Sequence, residues 1–91
     1  MYSFFLSKNA KEDLWRIYEY GVYKFGTNKA DEYFNLIQDC FDKIASNPFM
    51  FPVFIENDTY RYYVCGADTI YYKIYNDEVK IMSIIGRQNF V

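Results

Sequence analysis

The spacing of hydrophobic residues changes along the chain and separates a short strand, two helices and a group of later strands. Tyr2 to Leu6 is aromatic and is followed by Ser7, a residue type that caps helices, so it predicts a first strand. From Lys8 to Phe25 apolar residues recur at intervals of three and four, as on one face of a helix. Gly26 ends this first predicted helix.

The same spacing returns after Gly26 and predicts a second helix, which Thr27 or Asn28 caps. Asn47-Pro48 ends it, because proline cannot continue a helix. The joint between the two helices is so short that they are expected to be antiparallel neighbours. The next segment, Phe49 to Asn57, has no clear period and predicts an irregular arm.

Three segments rich in tyrosine and isoleucine follow, and they predict three consecutive antiparallel strands. They are Tyr60 to Val64, Thr69 to Tyr75 and Glu78 to Ile85. With the earlier elements they predict an α+β fold over residues 1–91 as a single domain. An N-terminal strand and an antiparallel two-helix hairpin pack on one face of a mainly antiparallel sheet, which ends in a three-strand meander (β-α-α-β-β-β).

A two-residue turn, Asn76-Asp77, fixes the register of the last predicted hairpin. The predicted opposite pairs are Tyr75 with Glu78, Ile74 with Val79, Lys73 with Lys80, and Tyr72 with Ile81. Ile70, Tyr72, Ile74, Val79 and Ile81 then share the face that packs on the helices, whereas Tyr71, Lys73, Tyr75, Lys80 and Met82 share the other. Two lysines directly opposite each other destabilise a sheet unless an anion or a partner offsets their charge, or unless solvent lets them splay apart.

Composition narrows the chemistry that this domain can perform. The chain has no histidine, which excludes nucleophile systems and proton shuttles built on imidazole. Cys40 and Cys65 cannot form a four-ligand zinc site and are expected to be reduced and structural. We therefore expect no metal, no cofactor and no small-molecule substrate. The N-terminus lacks a secretory signal and no apolar run approaches the roughly 20 residues of a membrane span, so no membrane partner is expected and the cytoplasm is the expected location.

The formal net charge of −2 argues against nucleic-acid binding as the main activity, and only a local patch is left to bind phosphate. The acidic pairs of the helices, such as Glu12-Asp13, are interpreted as ordinary solvated carboxylates. Arg61 and Arg87 differ, because an arginine near a strand end can bind a carboxylate or phosphate with two hydrogen bonds, although it can equally protect a sheet edge. Aromatic residues make up 23% of the chain, a surplus that favours protein recognition or simply strand formation.

Seven segments follow one another in a characteristic order: Leu6 to Leu14, Ile17 to Tyr20, Phe25-Gly26, Ile44 to Pro48, Tyr60 to Tyr62, Ile70 to Ile74 and Ile81 to Arg87. Their order and spacing from Phe5 to Phe90 resemble the RelE/ParE toxin superfamily, and more closely its ParE-like branch. The resemblance implies the toxin of a bacterial type II toxin–antitoxin module, neutralised by a cognate antitoxin protein. Apolar anchors for that antitoxin are expected among Trp15, Tyr20, Tyr23, Phe49, Phe51 and Phe54.

ParE-like members of this superfamily inhibit DNA gyrase, whereas RelE-like members cut messenger RNA on the ribosome. The acidic charge balance favours gyrase as the target, with contacts from Arg61, Arg87, Lys73 and Lys80. The alternative is a ribosome-dependent endoribonuclease, in which Arg61 and Arg87 hold the phosphate and Tyr72 or Lys73 transfers a proton. A third possibility is an inactive relative that only binds its antitoxin.

Overall fold

A computed structural model describes residues 2–86, and its elements follow the order that the sequence predicts. They are β1 (Ser3–Leu6), α1 (Lys8–Phe25), α2 (Thr27–Ser46), β2 (Arg61–Cys65), β3 (Asp68–Tyr75) and β4 (Glu78–Gly86). The strands form one sheet in the order β1-β4-β3-β2. β1 pairs parallel with β4, and the other two pairs are antiparallel. The predicted α+β fold with a C-terminal meander is therefore confirmed.

The helix hairpin depends on its end residues. The Ser7 side chain caps α1 by accepting a hydrogen bond from the Ala10 backbone N–H at 3.0 Å, as predicted. Gly26 has a φ of +89°, a conformation that side chains disfavour, and this one residue ends α1 and precedes α2. The predicted cap of α2 at Thr27 or Asn28 was wrong, because the chain turns so tightly at Gly26 that Thr27 already lies in the helix.

The helices cover one face of the sheet, and the core lies between the two layers. Its largest fully buried side chains come from α2, β3 and β4 and are Tyr72, Phe41, Ile37, Ile44, Ile70, Ile81, Ile84 and Val79. Alternate residues of β3 and β4 enter this core, as expected for strands with one packed face. Within residues 2–86, neither helix is long and apolar enough to cross a membrane.

The predicted register of the β3–β4 hairpin is confirmed, including Lys73 opposite Lys80. Asn76 and Asp77 both have positive φ, 48° and 63°, as a two-residue turn of this kind requires. Beyond Tyr72 the register shifts by one residue, so that Tyr71 lies opposite Ser83. This bulge was not predicted, since strict alternation extends the pairing without interruption.

Cys40 and Cys65 form a disulfide bond, so the expectation of two reduced thiols was wrong. The bond joins the middle of α2 to the end of β2 across a Cα–Cα distance of 6.4 Å. Both cysteines are buried, with 4% and 2% of their surface exposed. Their separation of 25 residues gives no sign of this pairing, which arises only when α2 packs on the sheet.

The interpretation of Asp13 as a solvated helix carboxylate was also wrong, because only 7% of its surface is exposed. Its carboxylate accepts a hydrogen bond from the Ile84 backbone N–H at 2.9 Å and pairs with Arg16 at 3.0 Å. The pairing of β1 with β4 ends at Leu6 opposite Ile81, so β1 has no residue beside the Ile84 N–H. Asp13 supplies the acceptor that a longer β1 would have provided.

Candidate functional site

Arg61, the first residue of β2, holds the arm formed by residues 47–60. Its Nη1 donates hydrogen bonds to the carbonyl oxygens of Phe51 at 2.6 Å and Phe49 at 3.2 Å. The guanidinium also lies over the Phe49 ring, 5.4 Å from the ring centroid. The predicted target-binding arginine therefore has three contacts within its own chain, and it positions the arm against the sheet.

Tyr72 lies directly opposite Arg61 and is fully buried on the helix side of the sheet. Its hydroxyl donates a hydrogen bond to the Pro48 carbonyl oxygen at 2.5 Å, next to Phe49 at the start of the same arm. Burial raises the pKa of Tyr72 to about 12, and the nearby Arg61 charge opposes that rise. At neutral pH this predicted proton-transfer residue is a protonated, buried hydrogen-bond donor.

Lys73 and Lys80 lie on the opposite side of the sheet, which we call the outer face. It is formed by Phe5, Tyr60, Tyr62, Tyr71, Lys73 and Lys80 and is turned away from the helices. The Lys73 Nζ lies over the Tyr60 ring at 5.0 Å from its centroid, and the Lys80 Nζ lies over the Phe5 ring at 5.8 Å. The predicted target residues are thus divided between two faces, and Arg87 lies outside the described residues.

An aromatic cluster continues the outer face beside the lysines. The rings of Tyr62 and Tyr71 lie 6.3 Å apart, and Phe54 contacts both, at 6.5 Å and 5.3 Å between centroids. Phe54 comes from the arm, which pairs with the edge of β2 through a hydrogen bond from the Tyr62 N–H to the Pro52 carbonyl oxygen. The arm therefore widens the aromatic surface by one ring.

A second candidate surface is a cleft of about 730 Å³ between α1, α2 and the turn after β2. Its lining includes Tyr20, which is 49% exposed and was predicted as an antitoxin anchor. Phe25 and Leu36 also line it, with 64% and 42% of their surface exposed, and neither was predicted. The sequence does carry a signal for Leu36, since it precedes Ile37 and so falls beside the buried stripe of α2.

Tyr33 forms the polar side of this cleft. Its hydroxyl donates a hydrogen bond to Asp68 at 2.5 Å and accepts one from the Ala67 N–H at 3.0 Å. Burial, followed by the hydrogen bond with Asp68, strongly raises the pKa of Tyr33. A Cβ at Gly66 would lie 2.8 Å from the Tyr33 ring, so the turn requires glycine there. The cleft therefore has a fixed polar wall beside its apolar floor.

The other predicted antitoxin anchors lie in different surroundings. Trp15, Tyr23 and Phe49 are exposed, and Trp15 stacks on Tyr18 at 6.1 Å between centroids. Phe51 is half-buried and packs edge-on against Tyr63 at 4.6 Å, so it belongs mainly to the core. The described part of the chain has no group of three His, Cys, Asp or Glu side chains placed to hold a metal ion.

Comparison with known proteins agrees with this architecture. The sequence profile of the family described as "ParE toxin of type II toxin-antitoxin system, parDE" matches residues 4–89. A solved structure described as the chromosomal ParDE TA system from P. aeruginosa superposes with a TM-score of 0.83 at 19% sequence identity, covering 94% of this chain and 96% of that chain. No curated protein matches the chain. Because the profile runs from within β1 to beyond the end of β4, the chain belongs to the ParE toxin family of type II toxin–antitoxin systems.

Proposed function

We propose that this protein is the toxin of a bacterial type II module, that it inhibits DNA gyrase by protein contact, and that it acts in the cytoplasm. The family assignment supports the toxin role. The observation that favours contact over RNA cleavage is the engagement of Arg61 and Tyr72 with the arm. A nuclease would need such groups free to bind phosphate or move a proton, yet both already donate to backbone carbonyl oxygens.

The proposed target contacts are Lys73 and Lys80 on the outer face, together with Arg87. Arg61 contributes to them through the arm, because it fixes the segment that carries Phe54 onto that face. The partly exposed rings beside the lysines are of the residue type that is enriched where one protein binds another. The two lysines also form the only opposed like-charge pair in the β3–β4 register of the described residues.

The proposed antitoxin site is the cleft between the helices, on the other side of the molecule from the outer face. Tyr20, Phe25 and Leu36 give it exposed apolar anchors, and its 730 Å³ suits the apolar side chains of a helical or extended segment. The separation of the two surfaces leads to different mutational effects. Changes in the cleft should release the toxin from its antitoxin, whereas changes on the outer face should weaken toxicity.

A supercoiling assay with purified gyrase tests the proposal directly. The wild-type protein should inhibit supercoiling or trap cleaved DNA, and the double variant Lys73→Gln/Lys80→Gln should lose at least tenfold in potency. The double variant Lys24→Gln/Lys43→Gln removes the same two charges from the exposed surfaces of the helices and is the matched control. Inhibition of translation with cleaved transcripts and unaffected gyrase would instead support the endoribonuclease. Harmless overexpression without an antitoxin would support an inactive relative.

Co-purification tests the antitoxin site. The product of the adjacent gene should form a stable complex with the wild-type toxin, and Leu36→Asp should weaken that complex at least tenfold because it places a charge in an apolar cleft. Lys73→Gln should bind the antitoxin normally. Equal binding by the Leu36→Asp protein, shown to be folded by circular dichroism, would place the antitoxin elsewhere.

A further inference from the structure

The outer face carries a row of four side chains that crosses the sheet from one edge to the other. Phe5 of β1 lies opposite Lys80 of β4, and Lys80 lies opposite Lys73 of β3. Tyr60 follows on the far side of Lys73, immediately before β2. The order is therefore aromatic, lysine, lysine, aromatic, with each ammonium group held over the neighbouring ring.

The central lysine pair has an uncompensated positive charge. Like charges at directly opposed positions repel, since their Cβ atoms are only about 5 Å apart. Among the described residues, the ion pairs are Arg16 with Asp13 and Lys29 with Glu32, and neither involves the outer face. The carboxylate that lies two residues from Lys80, that of Glu78, instead accepts a hydrogen bond from Ser3 at 3.5 Å. The two ammonium groups lean toward opposite edges of the sheet, Lys80 toward Phe5 and Lys73 toward Tyr60, so each is placed to take an anion of its own.

Aromatic surface lies directly beside the two lysines. Tyr62 and Tyr71 form the next row across the sheet, and Phe54 covers their edge. Within residues 2–86 the hydroxyl groups of Tyr60, Tyr62 and Tyr71 form no intramolecular hydrogen bond, unlike those of Tyr33 and Tyr72. These phenols therefore keep their donors for a ligand.

We infer that the outer face binds single-stranded nucleic acid, with one phosphate at Lys73, another at Lys80, and bases stacked on the neighbouring rings. A nucleotide strand repeats an anionic group and a flat ring in each unit, and this matches two lysines that are flanked by aromatic residues. A duplex hides its base faces within the stack, so it can use the lysines but not the rings. An acidic peptide can likewise pair with the lysines, but it has no flat rings to stack on the aromatic side chains.

This inference deepens the proposed function, since it assigns a ligand to the face that is proposed to contact gyrase. Binding itself requires no gyrase, and the strand can be DNA or RNA because the phosphodiester and the base faces are common to both. Two lysines predict a weak, salt-dependent interaction. With a slope of about −0.7 per neutralised phosphate, affinity falls roughly 25-fold between 20 mM and 200 mM salt.

Fluorescence anisotropy with labelled dT12 and U12 tests the inference on the purified full chain. The wild type should bind at 20 mM NaCl, and Lys73→Gln or Lys80→Gln should each halve the salt slope. Tyr71→Leu, which keeps an apolar side chain but removes the ring, should weaken binding about fivefold or more. Lys43→Gln should match the wild type, and circular dichroism confirms that each variant is folded. Tighter binding of dT12 identifies DNA as the preferred strand, and tighter binding of U12 identifies RNA.

Several outcomes would overturn the inference. These are no binding at 20 mM NaCl, an unchanged salt slope in the double lysine variant, equal binding of a duplex, and equal competition by a twelve-residue glutamate peptide. The gyrase assay on the same preparations separates this result from the proposed function. A protein that inhibits gyrase but binds no oligonucleotide contradicts only the inference, whereas one that binds oligonucleotide without affecting gyrase contradicts only the gyrase proposal.

Discussion

The Arg61 guanidinium donates a hydrogen bond of 2.6 Å to the carbonyl oxygen of Phe51 and so fastens the arm to the edge strand of the sheet. Tyr72 makes the corresponding bond at the start of the arm, with the Pro48 carbonyl oxygen. These two residues lie opposite each other on β2 and β3, so a single cross-strand pair holds two points of the arm. The position of the arm therefore depends on two side chains that the sequence predicts to act in target binding or catalysis.

Arg61→Ala is expected to destabilise the protein by about 1.5–3 kcal/mol, since hydrogen bonds to charged groups contribute roughly that much. Urea denaturation measures this loss. Hydrogen exchange should also become faster at two amides: that of Tyr62, which joins β2 to the arm at the Pro52 carbonyl oxygen, and that of Phe54, which donates to the Tyr60 carbonyl oxygen just before β2. Lys73→Ala is the control, because Lys73 has no hydrogen bond or ion pair in the described structure. This variant should leave both amides protected. Unchanged exchange in Arg61→Ala would show that the arm is held by other contacts.

Reduction of the Cys40–Cys65 bond is expected to lower the free energy of unfolding. The bond closes a segment of 25 residues, and the chain-entropy model assigns about 3.5 kcal/mol to a loop of that size. Denaturation with and without a thiol reductant measures the difference, with complete reduction verified by mass spectrometry. The double variant Cys40→Ala/Cys65→Ala should be less stable than the oxidised wild type and insensitive to the reductant. Equal stability of the oxidised and reduced wild type would contradict the prediction.

Asp13→Ala is expected to cost about 1–3 kcal/mol, because it leaves the buried N–H of Ile84 without its acceptor. Asp13→Asn keeps an acceptor oxygen at the same position and should lose less, although it weakens the pairing with Arg16. Glu12→Ala, next to it on the exposed surface of α1, should change stability by less than about 0.5 kcal/mol. Thermal unfolding of the three variants checks this order, and a loss in Glu12→Ala equal to that in Asp13→Ala would contradict it.

These residues also show which parts of the structure can be predicted from the sequence. The opposition of Lys73 and Lys80 was predictable, because a two-residue turn at Asn76-Asp77 leaves one register. The burial of Asp13 was not, because it depends on how closely α1 approaches the sheet rather than on periodicity. Local chemistry therefore predicts pairing within the sheet, and packing between the layers decides which polar groups are enclosed.

The candidate site divides in the same way. The outer face follows from strand alternation alone, so Lys73, Lys80 and Tyr71 were placed together from the sequence. Arg61 was grouped with them on residue type, yet its register opposite Tyr72 directs it to the other face. That register depends on the loop between β2 and β3, Gly66-Ala67, where the Tyr33 side chain from α2 accepts and donates hydrogen bonds. A contact from a distant helix could not be predicted from the strand sequence.

Stability is expected to fall in alkaline solution because of Tyr72. Its pKa is raised from 10.0 to about 12 in the folded protein, so the folded state keeps its proton where the unfolded state loses it. The stabilisation is complete below pH 10 and is lost as the pH rises toward 12, at up to about 1.4 kcal/mol per pH unit.

Urea denaturation at intervals between pH 9 and pH 12 measures this loss. Tyr72→Phe should be less stable at pH 8, because the Pro48 carbonyl oxygen loses its donor, but its stability should fall less steeply above pH 10. Tyr23→Phe removes the phenol of a side chain that is 89% exposed and should keep the wild-type slope. Because Tyr33 also has a raised pKa, some alkaline loss should persist in Tyr72→Phe and diminish in the double variant with Tyr33→Phe. Identical slopes in the wild type and Tyr72→Phe would show that the Tyr72 hydroxyl titrates alike in the folded and unfolded chain, which its burial beneath the arm argues against.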